Sequence, residues 1–307
     1  MNAAAISATL GDARREGRAW RCRCPLHGGR SLVLRDGDNG RLLATCWAGC
    51  NRVEVLAELR QRGLLDGRVD HVPRIISGSR RDNDASRTAR AMKIRRNARP
   101  AADTIVATYL ASRGLVLDHW PASLRFHPRC PRPRDDAGNL LPRLPAMVAL
   151  VEHATHGPVA VHATYLRPDG TGKADLPKNQ QRATFGPRRG GAVHFGMPRA
   201  GEWLIVGEGV ETTLSAAVPC GLAAWAALSA DGIAKLMLPP EATHIIIAAD
   251  NDANGKGQQA AHDAAARWLA EGRRVRIALP LGESNTDFND VLTGRTTGEI
   301  NEAHRVA

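Results

Sequence analysis

The sequence predicts a multidomain α/β protein with a small metal-bound front, an α+β middle lobe and a parallel sheet flanked by helices at the back. Three observations carry that prediction. From residue 203 to residue 292, short apolar runs alternate with helical stretches, as in right-handed βαβ units. Four of the six cysteines crowd into residues 22–50, a clustering that in a cytosolic chain points to metal rather than disulfides. The charge is divided. Residues 199–307 carry 9 Lys+Arg against 14 Asp+Glu, whereas residues 1–198 carry 33 against 17. A basic front and an acidic rear fit a protein that grips a polyanion with one part and holds cations with the other.

At 307 residues the chain has room for two or three domains, and 43% apolar content is ordinary for a folded protein. No apolar run reaches the length of a membrane span, and the N-terminal stretch lacks a signal-peptide core. The expectation is a cytoplasmic protein with no membrane partner.

Residues 1–67 read as the first domain. Residues 1–20 form a short helix or loose lead-in. SLVL and RLLATC form strands, with DGDNG as the hairpin turn between them. A helix follows, with apolar spacing at Val53, Leu56, Leu59 and Leu64. Residues 68–100 hold ten basic and three acidic residues with little apolar periodicity, and read as a basic linker. Residues 101–198 form the α+β lobe, with a helix in TIVATYLASRGL and strands in PAMVALVEH and GPVAVHATY. Residues 199–295 contain strands at 203–207, 222–227, 244–249 and 274–279. Helices are expected at 211–218, 231–237, 256–271 and 288–292, and 296–307 is a frayed tail.

Cys24-Pro-Leu-His27 is followed, after eighteen residues, by Cys46-Trp-Ala-Gly-Cys50. Each pair forms a tight knuckle, and the hairpin between them brings the pairs together. Three thiolates and one imidazole make a closed tetrahedral site of the kind that holds structural Zn²⁺, a zinc ribbon. Cys22 falls outside the knuckle spacing and is a bystander or an alternate ligand. Arg21, Arg23, Arg30, Arg35 and Arg41 surround the segment and suit nucleic acid.

At the back, WLIVG runs into Glu208-Gly209, and HIIIAAD ends in Asp250-Asn-Asp252. Acids that follow strands of a parallel sheet converge at its carboxyl edge, where ligands of such sheets bind. Three hard carboxylates there suit Mg²⁺ or Mn²⁺ and a phosphate substrate. Asp287 and Asp290 in TDFND follow the next strand and lie at the same edge. The bland alternative for Asp250 and Asp252 is a turn with helix-capping acids. Asn254-Gly255-Lys256-Gly257 is not a Walker A loop, because the first Gly is missing and no Ser or Thr follows Lys256.

VGEGVETTLSA with AADNDANGKG resembles the Toprim domain. CRCPLHGGRSLVLRDGDNGRLLATCWAGC resembles the CHC-type zinc-binding domain of bacterial, phage and plasmid DNA primases, its C-W-A-G-C being of the mobile-element type. The order of the segments resembles those primases over nearly the whole chain. The resemblance implies a Rossmann-like Toprim domain, with Glu208 as its glutamate, Asp250 and Asp252 as its metal pair and Asp287 as its later acid. Cys24, His27, Cys46 and Cys50 match the zinc ligands. HATYLRPDGTGKADLPKNQQRATFG resembles the basic lobe of a primase core, which makes Lys173, Lys178 and Arg182 candidates for gripping nucleotide phosphates or template. The implied function is a primase that makes short RNA primers from ribonucleoside triphosphates on single-stranded DNA, with a separate replicative helicase as a further partner. A nucleic-acid-binding module with an inactive Toprim domain and a Toprim nuclease are the alternatives. A topoisomerase would need a nucleophilic tyrosine, and only Tyr109 and Tyr165 exist.

Overall fold

The computed structural model describes residues 2–37, 42–48, 50–65, 80–135, 139–253, 255–282 and 284–302. The chain divides into two compact units, Met1–Ser77 and Gly78–Ala307.

In the first unit, α1 (Ala3–Leu10) is capped by the Asn2 side chain, which accepts from the Ala5 N–H at 2.9 Å. Strands β1 (Arg14–Glu16), β2 (Ala19–Cys22), β3 (Leu32–Asp36) and β4 (Leu42–Cys46) form an antiparallel sheet in chain order. Strands β3 and β4 pair from Leu32↔Cys46 to Asp36↔Leu42, as the hairpin reading requires; turn residues 38–41 lie outside the described residues. Helix α2 (Arg52–Gln61) closes a small core of Ile6, Leu32, Leu34, Val55 and Leu59. Val53, one of the four positions in the helical apolar spacing, is 69% exposed. It stands about 200° around the helix from Val55, at roughly 100° per residue, so the two cannot share a face.

In the second unit the predicted linker is partly a helix, α3 (Arg80–Arg96). Ala91 and Ile94 lie on one face of it and are buried against Val148, Val161 and Tyr165. Arg87, Arg90, Lys93 and Arg96 stay exposed. Two core positions among so many cations leave a periodicity too faint to read. Residues 66–79 lie outside the described residues.

The chain continues through β5 (Arg99–Pro100), α4 (Ile105–Ser112), β6 (Leu124–Cys130), β7 (Leu144–His153), β8 (Gly157–Tyr165), β9 (Arg182–Phe185) and β10 (Gly191–His194). Strand β7 alternates cleanly: Met147, Ala149 and Val151 pack with α4, and Ala146, Val148 and Leu150 pack with α3. Then come β11 (Trp203–Gly207), α5 (Val210–Ala217), β12 (Ala224–Ala226), α6 (Ala230–Lys235), β13 (His244–Ala248), α7 (Lys256–Ala270), β14 (Arg274–Pro280), α8 (Phe288–Leu292) and β15 (Gly298–Glu302).

Strands β12, β11, β13 and β14 are parallel neighbours. Leu204 and Val206 pack with α7, whereas Ile205 packs with α5 and Phe288, so the sheet has a core on each face. The two lobes share one eleven-stranded sheet, joined where β10 pairs antiparallel with β12. The expected frayed tail holds β15, paired antiparallel with β14. Its polar sequence, GEINE, suits a sheet edge and carries no apolar signal. Among the described residues no helix is long and apolar enough to cross a membrane.

Candidate active site and metal centres

The front cluster assembles as the spacing predicts. One ligand atom from each of Cys24, His27, Cys46 and Cys50 lies within 4.8 Å of the others. Strands β2 and β4 flank β3, and the Cys24 and Cys46 knuckles follow their ends. His27 Nε2 stands 3.3 Å from Cys46 Sγ, and Cys24 Sγ 3.9 Å from Cys50 Sγ. Gly29 lets the chain pass over the imidazole, because a Cβ there would stand 2.8 Å from His27 Cε1. At Cys50, burial and the thiols of Cys46 and Cys24 push the thiol up to about 12. At Cys46, burial is outweighed by hydrogen bonds from Ser31 and His27, which hold it at about 6. A closed, soft Cys₃His set fits Zn²⁺. Cys22 is no part of it: it is fully buried in the core of this unit, and burial pushes its thiol up.

The acidic cluster lies at the carboxyl ends of the parallel strands. Glu208 follows β11 directly, and Gly209 caps α5. Gly207 is required for close packing, since a Cβ there would collide with Thr213 Oγ1. Asp250 and Asp252 follow β13. They do not cap α7, whose N-cap is Gly255 with no side-chain cap bond, so the capping alternative fails. Asn251 ties the β13 loop to the loop after β14: its N–H donates to Thr286 O at 3.1 Å and its carbonyl accepts from the Asn285 N–H at 2.6 Å. That stitch carries Asp287 toward Asp250.

Electrostatics report the convergence. Burial, then the carboxylates of Glu208, Asp287 and Asp252, push Asp250 up to about 7. Burial, then Asp252, raises Glu208, and Arg182 partly offsets both. Asp250 Oδ1 is buried without a hydrogen-bond partner. Among the described residues only the Cys₃His set draws its ligand atoms tightly together. The carboxylates act on one another by charge, and with an orphaned buried oxygen they fit a divalent cation, whose charge would let them ionise together. Asp287 has two tasks. It caps α8 by accepting from Asn289 N at 2.8 Å, and its other oxygen lies 4.0 Å from Arg113 Nη2. Asp290 is spent in the same capping box and on Arg295 at 3.2 Å.

The three basic candidates fare differently. Arg182, at the start of β9, acts electrostatically on Glu208 and Asp250. Lys173 pairs instead with Glu211 at 3.0 Å. Lys178 sits exposed on a short 3₁₀ turn, and among the described residues nothing links it to an acid of the rim.

Sequence reasoning missed Glu211, on the first turn of α5. It is 5% exposed, and its Oε1 accepts from Tyr109 Oη at 2.5 Å as well as from Lys173. Burial alone would raise it, but Lys173, Arg182 and Tyr109 together hold it down at about 2. The only available signal was a second acid, three residues after Glu208, on an otherwise buried helix. Tyr109 and Tyr165 are both buried, and burial raises both phenols, which suits no nucleophile.

Residues 85–195 match a family model described as a domain of unknown function, DUF7146, and residues 203–298 match the Toprim domain model. No curated protein matches the chain. Among solved structures it is similar to a DNA primase domain from Pseudomonas aeruginosa, at 18% identity and a TM-score of 0.43, covering 69% of this chain and 74% of that one. The Aquifex aeolicus primase, with its zinc-binding and RNA polymerase domains, is similar at 14% identity and a TM-score of 0.42, covering 97% and 84%. A DnaG primase catalytic domain bound to single-stranded DNA is similar at 13% identity and a TM-score of 0.44, covering 70% and 79%. With their parallel core and the matching family model, residues 203–298 are a Toprim domain.

Proposed function

We propose that this chain is a DNA primase that joins ribonucleotides into short primers on single-stranded DNA, in the replication of a phage, plasmid or integrated mobile element. One observation carries the reading: Asp250, buried with an orphaned oxygen and pushed up to about 7 amid three other carboxylates, in a Toprim domain. Glu208, Asp250, Asp252 and Asp287 would hold Mg²⁺ or Mn²⁺, which neutralises triphosphate charge and lowers the pKa of an attacking 3′ hydroxyl.

The chain's own residues supply the rest. Glu208 either joins those metal ligands or, left off the cation, takes up the hydroxyl proton as general base. Arg182 and Lys173 bind the triphosphate oxygens, and exposed Lys178 adds charge for nucleotide or template. The Cys₃His module and the cationic face of α3 hold template phosphates. A separate helicase would deliver the template strand.

The test is labelled primer synthesis on single-stranded DNA with Mg²⁺ and ribonucleoside triphosphates. Product is expected from the wild type and lost in Glu208→Gln and Asp250→Asn. Normal priming by those variants rejects the reading. Cutting of DNA without nucleotides would make the domain a nuclease instead, and DNA binding with no carboxylate-dependent Mg²⁺ site would make it an inactive module.

A further inference from the structure

We propose that Glu211 is a positioning residue: its buried carboxylate, fixed by Tyr109, holds the Lys173 ammonium beside the acidic rim so that the ammonium can bind a nucleoside triphosphate. This rests on the nucleotidyl-transfer reading above and names a further part of that site.

The geometry is specific. Lys173 leaves the turn after β8 at an isolated bridge with Leu166, and Gly170 in that turn lies against α4, where a Cβ would stand 2.7 Å from Ile105 O. The turn therefore has little freedom, and the Lys173 side chain crosses to α5. Its ammonium reaches Glu211 at 3.0 Å, yet 21% of the side chain remains exposed. One carboxylate oxygen takes the Tyr109 hydroxyl and one N–H of Lys173. An ammonium has three N–H donors, so two remain for an anion.

The site is tied to the rim by Arg182. Its charge acts on Glu211, Lys173, Tyr109 and His162, and also on Glu208 and Asp250. Glu211 itself lies three residues after Glu208, on the first turn of α5. Its Oε1 is already shared by two donors.

Burial disfavours the charge on Lys173 and Glu211 favours it. The other groups that face Lys173 are cationic or neutral: Arg182 from β9, Arg113 at the end of α4, Tyr109 from α4, and His162 from β8, which burial holds down at about 4. Glu211 is thus the counter-ion that keeps Lys173 charged at alkaline pH.

The experiment measures KM for ATP and kcat in primer synthesis by the full chain across the pH range. Glu211→Gln should raise KM by up to about tenfold near pH 9, since lowering a lysine pKa by one unit cuts its charged fraction by as much as that factor once the pH lies above both values. The loss should shrink below about threefold near pH 6.5, where the ammonium is charged again, with kcat within about twofold. Glu211→Gln combined with Lys173→Ala should be no worse than Lys173→Ala alone. An unchanged KM, an equal loss of kcat at every pH, or multiplied losses in the double variant would overturn the proposal. If circular dichroism shows Glu211→Gln unfolded, Tyr109→Phe replaces it: the carboxylate stays charged but loses the bond that fixes it, so KM should rise about threefold with little dependence on pH; a KM like the wild type's then rejects it. A wild type that makes no primer rejects the primase reading, whereas an active wild type with insensitive variants rejects only the role of Glu211.

Discussion

The Cys₃His cluster and the carboxylate cluster both gather groups that repel one another, yet they stand on different foundations. At the front, four ligand atoms converge within 4.8 Å on a sheet of four short strands with a small core. So small a unit buries too little to hold three thiolates together unaided, and a metal would be part of its folding energy. At the back, the acids sit on the rim of a sheet with a core on each face. There the scaffold bears the burial of the acids and then their repulsion, and the two together raise the proton affinity of Asp250 and Glu208. The difference teaches that one kind of cluster makes a fold, whereas the other draws on a fold already made.

Metal removal separates them most sharply. Chelation, or Cys46→Ala, should unfold the first unit, because structural zinc contributes on the order of 10 kcal/mol. The second unit should keep its fold. Amide NMR signals from residues 32–46 should collapse while those from 203–280 persist; a front unit that stays folded breaks the comparison. Next in size, Glu208→Gln should lower primer synthesis about a thousandfold or more with little change in melting temperature. A comparable loss of stability would mean that Glu208 is structural.

The third prediction concerns pH. The folded-state pKa of Asp250 is raised, so the unfolded chain gives up this proton first. As pH rises from about 4 to about 7 the folded state is penalised progressively, and the full penalty remains above that window. Without divalent cations, Asp250→Asn should therefore stabilise the second unit at pH 8 by on the order of 1–3 kcal/mol, and by almost nothing at pH 4. Added Mg²⁺ should close the gap by stabilising only the wild type. Thermal melts at both pH values decide it, and a variant less stable than the wild type at pH 8 refutes the account of a buried, crowded carboxylate. The smallest effect is expected at Asp287. Asn caps a helix as well as Asp, so Asp287→Asn should leave α8 intact and weaken Mg²⁺ binding about threefold. Unchanged Mg²⁺ affinity would leave Asp287 as a cap alone.

Much of this was legible along the chain. The alternation from 203 to 292 placed eight elements close to their observed bounds, because both faces of the sheet are buried and each run is strongly apolar. Glu208 and Asp250 were legible as acids directly after such runs. Other features were hidden for physical reasons. In α3, cations mask two core positions. In β15, an edge strand needs only backbone partners. Glu211 looked like one more helical acid because its partners, Tyr109 and Lys173, come from the other lobe.

Local pattern alone therefore determined which candidate ligands this protein carries: soft ones paired by knuckle spacing at the front, hard ones at strand ends behind. Those depend on spacing and strand periodicity, which are properties of neighbouring residues. Tertiary structure decided how the groups are charged and what each is free to do. It freed Asp250 from capping, divided Asp287 between a helix and the rim, and gave Lys173 a buried counter-ion. Burial and long-range contact set those outcomes, and neither is a property of residues close in sequence.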